Sequence, residues 1–278
     1  MDDSNVPRLA VLTPVFNDAT GLVRTLESLK LQQVLFDWVI VDDGSQPAIT
    51  VPDNLPFKVK LIRLDLNRGI TSALNTGLSH IFQQNYDRIA RLDAGDVALP
   101  GRFAKQMDAM DSNPQLGALG TWVRLVDEQD QPILVRELPV GNRAIRRRHQ
   151  RTSGMVHSSV MLDASVAQTA GLYNDTYRYA EDFDLWLRIG RLAELDNLPE
   201  ILLEVEVRPD SISTGRRKTQ VASRMRLLRR EFSFKSLGSY TGLIANVGLY
   251  LVSFSFSMRA KRLLQRSLGK SPQRRKVL

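Results

Sequence analysis

Short apolar runs alternate with helical segments through the first hundred residues, and this alternation restricts the chain to an α/β fold with a parallel sheet. Residues 8–13 form a β-branched and apolar run that stops at Pro14, and residues 19–31 follow with helical spacing at Leu22, Leu26 and Leu29. Trp38, Val39, Ile40 and Val41 are consecutive and apolar, too continuous for a half-exposed strand, so they predict a strand buried on both faces. Residues 59–64 make a third strand. Residues 69–83 place Ile70, Leu74, Leu78 and Ile81 on one helical face. A fourth strand over 88–92 and a helix over 102–110 complete the pattern. The second half predicts strands over 116–126, 157–162 and 201–207, a polar turn over 127–131, and a helix over 182–192 that buries Leu185, Ile189 and Leu192.

The composition shifts near residues 208–215. We therefore expect an α/β domain over 1–215 and a basic, amphipathic helical extension over 216–278. Of the 38 Lys and Arg residues, 16 lie from Arg216 onward against one acid, Glu231, a local charge of +15. Residues 1–215 carry −7. A mildly acidic body with a strongly basic tail points to an anionic surface as partner. The chain has no cysteine, which excludes disulfides, thiolate metal sites and cysteine nucleophiles. With three histidines in all, hard oxygen ligands and hence Mg2+ or Mn2+ are the favoured metal chemistry. The polar start, Met1-Asp2-Asp3-Ser4-Asn5, does not look like a signal peptide, so a cytoplasmic location is expected.

Parallel sheets bind ligands at the carboxyl ends of their strands. Asp42-Asp43-Gly44-Ser45 ends the second predicted strand, Asp93-Ala94-Gly95-Asp96 ends the fourth, and Glu181-Asp182 opens the late helix. Each cluster alone is explained by turn chemistry or by the preference of acids for helix N-termini. Three together suit the chemistry of a sugar nucleotide. Carboxylates can hold a divalent cation against a diphosphate leaving group, and a further carboxylate can accept the proton of an attacking hydroxyl.

Five segments, in order, resemble family 2 glycosyltransferases, whose Rossmann-like fold is called glycosyltransferase A. They are Thr13-Pro14-Val15-Phe16-Asn17, Asp42-Asp43-Gly44-Ser45, Asn67-Arg68-Gly69-Ile70 with Ala73-Leu74-Asn75-Thr76-Gly77, Arg91-Leu92-Asp93-Ala94-Gly95-Asp96 through Pro100-Gly101-Arg102, and Tyr179-Ala180-Glu181-Asp182-Phe183-Asp184-Leu185-Trp186. The resemblance spans roughly residues 8–213 and implies an inverting, metal-dependent transferase of the hexosyltransferase type. Its donor would be a nucleotide-diphosphate sugar and its acceptor a glycan or glycolipid hydroxyl, in surface polysaccharide or glycolipid assembly. By the same resemblance Thr13, Pro14 and Phe16 line the nucleotide pocket, Asp42 contacts the nucleobase with Asp43 beside it, and Arg68 and Gly69 border the diphosphate or sugar. Asp93 contacts ribose and metal, Asp96 is the main ligand of Mn2+ or Mg2+, and Asp182 is the catalytic base, supported by Glu181. The family commonly has aspartate at the position of Gly95, and often a histidine at that of Arg208 before Ser211-Ile212-Ser213.

His157 and Trp122 are candidate acceptor contacts, and Arg146-Arg147-Arg148 with Arg151 a candidate contact for an anionic acceptor. A histidine satisfied in a strand and a solvated charge run are the bland alternatives. Leu185 and Trp186 sit on the apolar side of the late helix and read as core. Two rival functions are weaker. A nucleotidyltransferase would show a Gly-rich basic loop after the first strand, which residues 13–20 lack. A nucleic-acid-binding protein would show a recognised module in the basic tail, and none is found, so no nucleic-acid partner is expected. In the tail, 23 charge-free residues separate Lys235 from Arg259. Asn246, Ser253 and Ser257 form a polar stripe and Leu243, Val247, Leu251, Phe254 and Met258 an apolar one, with basic flanks on both sides. That pattern predicts peripheral attachment to an anionic membrane surface on the cytoplasmic side. Packing of this helix on the catalytic domain or on a second subunit of a homodimer is the alternative.

Overall fold

A computed structural model describes residues 8–207 and 217–251. Its centre is a curled nine-stranded sheet in the order β3-β2-β1-β4-β8-β6-β9-β5, with β7 paired to the outer part of β6. Strands β1 (Leu9–Val15), β2 (Asp37–Asp42), β3 (Lys58–Arg63) and β4 (Arg88–Arg91) run parallel, as their apolar runs predict. Helix α1 (Ala19–Leu29) links β1 to β2, and α2 (Ile70–Phe82) lies between β3 and β4 in sequence. The two helices supply apolar residues to separate clusters on opposite faces of the sheet, Leu22, Leu26 and Leu29 to one and Leu74, Leu78 and Ile81 to the other.

The second half departs from simple alternation. The expected strand over 157–162 is instead a 3-10 turn at His157–Ser159 followed by the short β8 (Met161–Asp163). The cause is local. Ser159 turns its hydroxyl onto the Val156 carbonyl at 2.8 Å, and Ser158 gives its own to Asp96, so serine side chains compete with the strand ladder. Strand β8 runs antiparallel between β4 and β6 (Leu116–Val126). The last strand is longer than predicted. It starts immediately after the late helix as β9 (Glu194–Glu206) and runs parallel to β6 over its length. Strands β5 (Val97–Ala98) and β7 (Pro132–Arg136) were not legible, being two residues long and proline-led respectively. Helices α3 (Arg102–Ser112), α4 (Asn142–His149) and α5 (Ala164–Ala170) cover the sheet. The late helix α6 (Glu181–Leu192) buries Leu185, Trp186 and Ile189 as expected, whereas Leu192 at its end is exposed.

Two helices follow the α/β body: α7 (Arg217–Arg230) and α8 (Leu237–Leu251). Helix α7 is docked on α6. Leu227 and Leu228 are buried against Ala180 and Phe183. Asp184, with no exposed surface, accepts from Arg188 at 2.9 Å within α6 and from Arg230 of α7 at 2.6 Å. Glu231 then joins Arg230 to Arg191. The ion-pair network of α6 is therefore completed by α7. The basic residues from Arg259 onward fall outside the described residues.

This docking has a measurable cost if broken. Replacing Asp184 with alanine leaves two guanidinium groups facing a cavity. Asp184→Ala should lower stability by about 2–4 kcal/mol in chemical denaturation, partial exposure of both arginines keeping the loss toward the lower end for a broken buried pair. Hydrogen exchange should quicken in α7 as well as α6. An unchanged exchange rate in α7 would show that apolar contacts alone hold it.

Candidate active site

The sheet brings together acids that lie far apart in sequence. Asp93 follows β4, Asp96 precedes β5, and Glu181 and Asp182 form the first turn of α6. Asp93 acts electrostatically on Asp96, Glu181 and Asp182, so the four carboxyls share one neighbourhood. The sequence pointed to three acidic clusters; those at Asp93–Asp96 and Glu181–Asp182 lie near each other, whereas Asp42 is paired with Arg63 and Asp43 with the Arg68 and Gly69 amides.

Buried cations make the grouping tolerable. Arg91 is 1% exposed and lies at the end of β4. Its guanidinium donates to the carbonyls of Leu12 at 2.9 Å and Leu92 at 3.1 Å, and it is ion-paired with Asp93. Burial works against the Asp93 charge, but Arg91 outweighs it and holds the carboxyl below its usual range. Asp96 is in the opposite state. Burial first, and the Asp93 charge second, push it up to about 8, despite a hydrogen bond from Ser158. Arg102 lies fully buried nearby, donating to the Arg91 carbonyl at 2.9 Å and to Gln106 at 3.1 Å. Desolvation lowers its pKa to about 9, an effect that the nearby Asp96 opposes. The sequence contained Arg91 and Arg102 within recognisable segments, but nothing in their spacing showed that both would be buried under the acids.

Glu181 and Asp182 are raised as well. Burial and then the Asp182 charge bring Glu181 up to about 7, and one of its buried oxygens has no hydrogen-bond partner. Burial brings Asp182 up to about 6, with Arg224 of α7 pulling in the other direction. Asp182 is half-buried and keeps an open side. A helix start is a favourable place for both charges.

Gly95, where the family often has aspartate, has φ 94 and donates its amide to the Gly21 carbonyl and the Thr25 hydroxyl, both at 3.0 Å. A side chain there would be strained, so glycine fits this turn and two carboxylates remain. Among the described residues no group of three or more His, Asp or Glu is gathered as a metal site. Arg208 and residues 211–213 lie outside the described residues.

The other expected contacts divide into lining and framework. Phe16 is exposed, at 45%, beyond the end of β1. The side chains of Thr13 and Pro14 are buried, and the Thr13 hydroxyl accepts from the Trp38 indole at 2.9 Å. The buried set includes Asp42. It has no exposed surface, and its oxygens accept from the amides of Ser45 at 2.8 Å and Ile49 at 3.2 Å and from Arg63 at 2.7 Å. These bonds tie the end of β2 to the Ser45–Ile49 loop and to β3. Asp43 accepts from the amides of Arg68 and Gly69, both at 2.8 Å, and so fixes the loop that presents the exposed Arg68. Gly44 has φ 76, and a Cβ there would lie 2.6 Å from the Leu66 backbone, which explains the glycine after the acidic pair.

His157 reaches the acidic cluster as a framework residue. Its Nε2 meets the Tyr173 hydroxyl at 2.8 Å and Arg91 Nε at 3.4 Å, and its ring packs against Trp186. Burial and then Arg91 lower its pKa to about 3, so it stays neutral. Trp122 is half-buried, with its indole donating to the Leu138 carbonyl at 2.9 Å. No described hydrogen bond joins Trp122 to the acids.

Comparison with known proteins agrees with this arrangement. The sequence profile described as Glycosyl transferase family 2 matches residues 10–168. The amylovoran biosynthesis glycosyltransferase AmsE of Erwinia amylovora is 30% identical over 244 residues, covering 84% of this chain and 90% of that protein. Among solved structures, S. aureus TarS 1–349 in complex with UDP-GlcNAc superposes with a TM-score of 0.65 at 14% identity, covering 89% of this chain and 74% of that one. The mannosyltransferase PcManGT of Pyrobaculum calidifontis, in complex with GDP-Man and Mn2+, gives 0.60 at 15% identity, with 96% and 77% covered. A parallel sheet that gathers acids from separate segments, a profile match over more than half the chain and a relative aligned over nearly its full length lead to one conclusion: the chain belongs to glycosyl transferase family 2.

Proposed function

We propose that this protein transfers a sugar from a nucleotide-diphosphate donor to a hydroxyl of a glycan or glycolipid acceptor, with inversion at the anomeric carbon. One observation carries the reading: Asp93 and Asp96 from one chain segment and Glu181 and Asp182 from another converge at the carboxyl end of the sheet. The donor class is supported by structural neighbours bound to UDP-GlcNAc and GDP-Man, and a role in surface polysaccharide or glycolipid assembly by the similarity to an amylovoran biosynthesis enzyme.

In this reading Phe16, Arg68 and Gly69 contact the donor, over a floor formed by Asp42 and Asp43. Asp182 takes the acceptor hydroxyl proton as the oxygen attacks the anomeric carbon. The bond from that carbon to the diphosphate breaks, and the nucleoside diphosphate leaves. Glu181, beside it, orients the acceptor. Asp96, with Asp93, is the candidate ligand set for Mg2+ or Mn2+. The donor set fits, because these ions use one or two protein carboxylates and complete their shells with substrate phosphates and water. Asp93 and Asp96 lie within electrostatic reach of each other, as two carboxylates on one ion would have to. When bound, the cation offsets charge developing on the diphosphate.

The C-terminal helices add a membrane-facing surface to the proposal. No described helix is long and apolar enough to cross a membrane. Helix α8 is turned in an unusual sense. Its polar Asn246 is buried, donating to the Arg151 and Gly242 carbonyls at 2.8 Å each, while Leu237, Ile244 and Val247 face solvent. Arg226 and Arg229 flank a groove of about 290 Å³ floored by Met225, Val247 and Tyr250. Exposed apolar side chains beside basic ones suit an anionic lipid headgroup region, and this supports attachment at the cytoplasmic face of a membrane.

Three outcomes are expected. Asp96→Ala, or chelator on the unmodified enzyme, should abolish sugar transfer while circular dichroism stays unchanged; full activity in chelator removes the metal from the mechanism. Asp182→Asn should lower turnover by about 10²–10⁴ with little change in donor affinity. In the unmodified enzyme the base must be ionised, so turnover should fall as pH drops through about 6. If the variant loses donor binding and keeps turnover per bound donor, Asp182 is a binding residue. Ile244→Glu with Val247→Glu should abolish sedimentation with vesicles containing phosphatidylglycerol, without unfolding, since both side chains are exposed. Equal sedimentation of the variant would discard α8 as the membrane contact.

A further inference from the structure

Helix α7 has two distinct sides. Leu227 and Leu228 face α6, buried with Ala180 and Phe183. Ala222, Met225, Arg226 and Arg229 follow the spacing i, i+3, i+4, i+7, so they share another side of the helix, and they line a groove of about 290 Å³. Val247 and Tyr250, three apart on α8, form its second wall. The two helices are fixed to each other and to the body. Leu243 of α8 packs against the same apolar cluster as Leu227 and Leu228, and Arg224 of α7 reaches the Asn246 side chain of α8 at 3.3 Å. Asn246 in turn donates to the Arg151 carbonyl at 2.8 Å. The groove therefore belongs to the packed pair of helices.

Its chemistry narrows what can occupy it. Alanine, methionine, valine and an aromatic ring make up the walls, and no carboxylate lines it. A sugar or a nucleobase needs several convergent polar groups, which these walls lack. An α-helix is about 10 Å across, and two turns of one would fill several times this volume. A hydrocarbon chain is thin, needs no hydrogen bond and gains from every methylene taken out of water. The rim adds charge. Arg226 and Arg229 stand three apart on α7, with Cβ atoms roughly 5–6 Å from each other. Both are exposed, and among the described residues neither is in an ion pair, whereas the adjacent Arg230 is paired with Asp184 and Glu231. Two like charges at this spacing repel, and a phosphate between them would relieve the repulsion through charge-assisted hydrogen bonds. Val247 belongs both to the groove and to the solvent-facing stripe of α8 with Leu237 and Ile244, so the groove opens onto that stripe.

We propose that the groove between α7 and α8 holds an acyl chain of one anionic membrane phospholipid, with the lipid phosphate between Arg226 and Arg229. The proposal rests on the reading of α8 as a membrane contact, and adds to it a lipid bound singly at a defined place. The source of the lipid follows from the packing. An acceptor must reach Asp182 at the start of α6, and the groove lies on a side of α7 that does not face α6. The chain it holds is therefore one from the membrane itself. A lipid seated there keeps α7 in the docked position from which Arg230 completes the ion pairs of Asp184.

The test titrates dihexanoyl-phosphatidylglycerol, below its micellar concentration, calorimetrically into the full chain. The unmodified chain should bind one equivalent, and its melting temperature should rise with the lipid. Dihexanoyl-phosphatidylcholine, without net charge, and glycerol phosphate, without chains, should each bind at least about tenfold more weakly. Arg226→Gln with Arg229→Gln should weaken phosphatidylglycerol binding by about tenfold or more, the scale of a lost charge-assisted hydrogen bond. Ala222→Trp fills the groove from a position that does not face α6, and should abolish binding. Should Ala222→Trp fail to fold, the arginine pair decides. No binding by the unmodified chain, equal binding of phosphatidylcholine or of glycerol phosphate, or equal binding by the arginine double variant overturns the proposal. So does a dimer of the unmodified chain in sedimentation velocity that Ala222→Trp abolishes, which would assign the groove to a second copy. Vesicle sedimentation of the same proteins tests the membrane reading separately, because Ala222→Trp leaves Leu237 and Ile244 exposed and should still sediment. Sedimentation of the unmodified chain without binding of the monomeric lipid would discard the groove alone, and binding without sedimentation would discard the membrane contact of α8.

Discussion

Four carboxyls in one cleft repel one another, and the buried guanidinium of Arg91 is the interaction that lets them be assembled. It sits under the site with its donors divided among the Leu12 and Leu92 carbonyls and Asp93, so it links β1, β4 and the acidic turn in one network. Asp93 is held ionised by it. Asp96, farther from that charge and deeper, is driven toward the protonated state. The two carboxyls are thus pushed in opposite directions by one buried cation and by burial itself. The neutral His157 completes the frame by holding Arg91 and Tyr173 without adding a charge.

The C-terminal helices alter how the site is understood. Helix α7 contacts the helix that carries Glu181 and Asp182 through a buried ion-pair network on Asp184 and an apolar patch on Phe183. It also sends Arg224 toward Asp182. A change in α7 is thus felt two residues from the proposed base. Helix α8 presents the opposite arrangement to an ordinary surface helix, polar side inward and apolar side outward. Together they cover α6 on one side and leave Leu237, Ile244 and Val247 exposed on the other.

Much of the fold was legible because parallel strands buried on both faces leave a strong signal. Residues 38–41 are apolar without interruption, and the observed β2 contains them with every one buried. The helical spacing of Leu74, Leu78 and Ile81 likewise survives as a buried face of α2. Failures fell where side chains compete with backbone pairing. Ser158 and Ser159 turned an expected strand into a 3-10 turn, and one of them holds Asp96. For the site, the sequence located the acids but could not tell a ligand-facing carboxylate from a structural one. Asp42 and Asp93 both follow a strand and both precede a glycine turn, yet one has no exposed surface and the other is open.

The sequence by itself determined the family, the parallel α/β core and the segments that supply the acids, because these depend on local periodicity and on motifs read along the chain. Tertiary structure decided which charges meet. Arg91 on the Leu12 carbonyl, 79 positions away, and Arg230 on Asp184, 46 positions away, are contacts set by strand order and by the docking of α7. Charge interactions act through space and weaken with distance and solvent, so their partners are fixed only when the chain has folded.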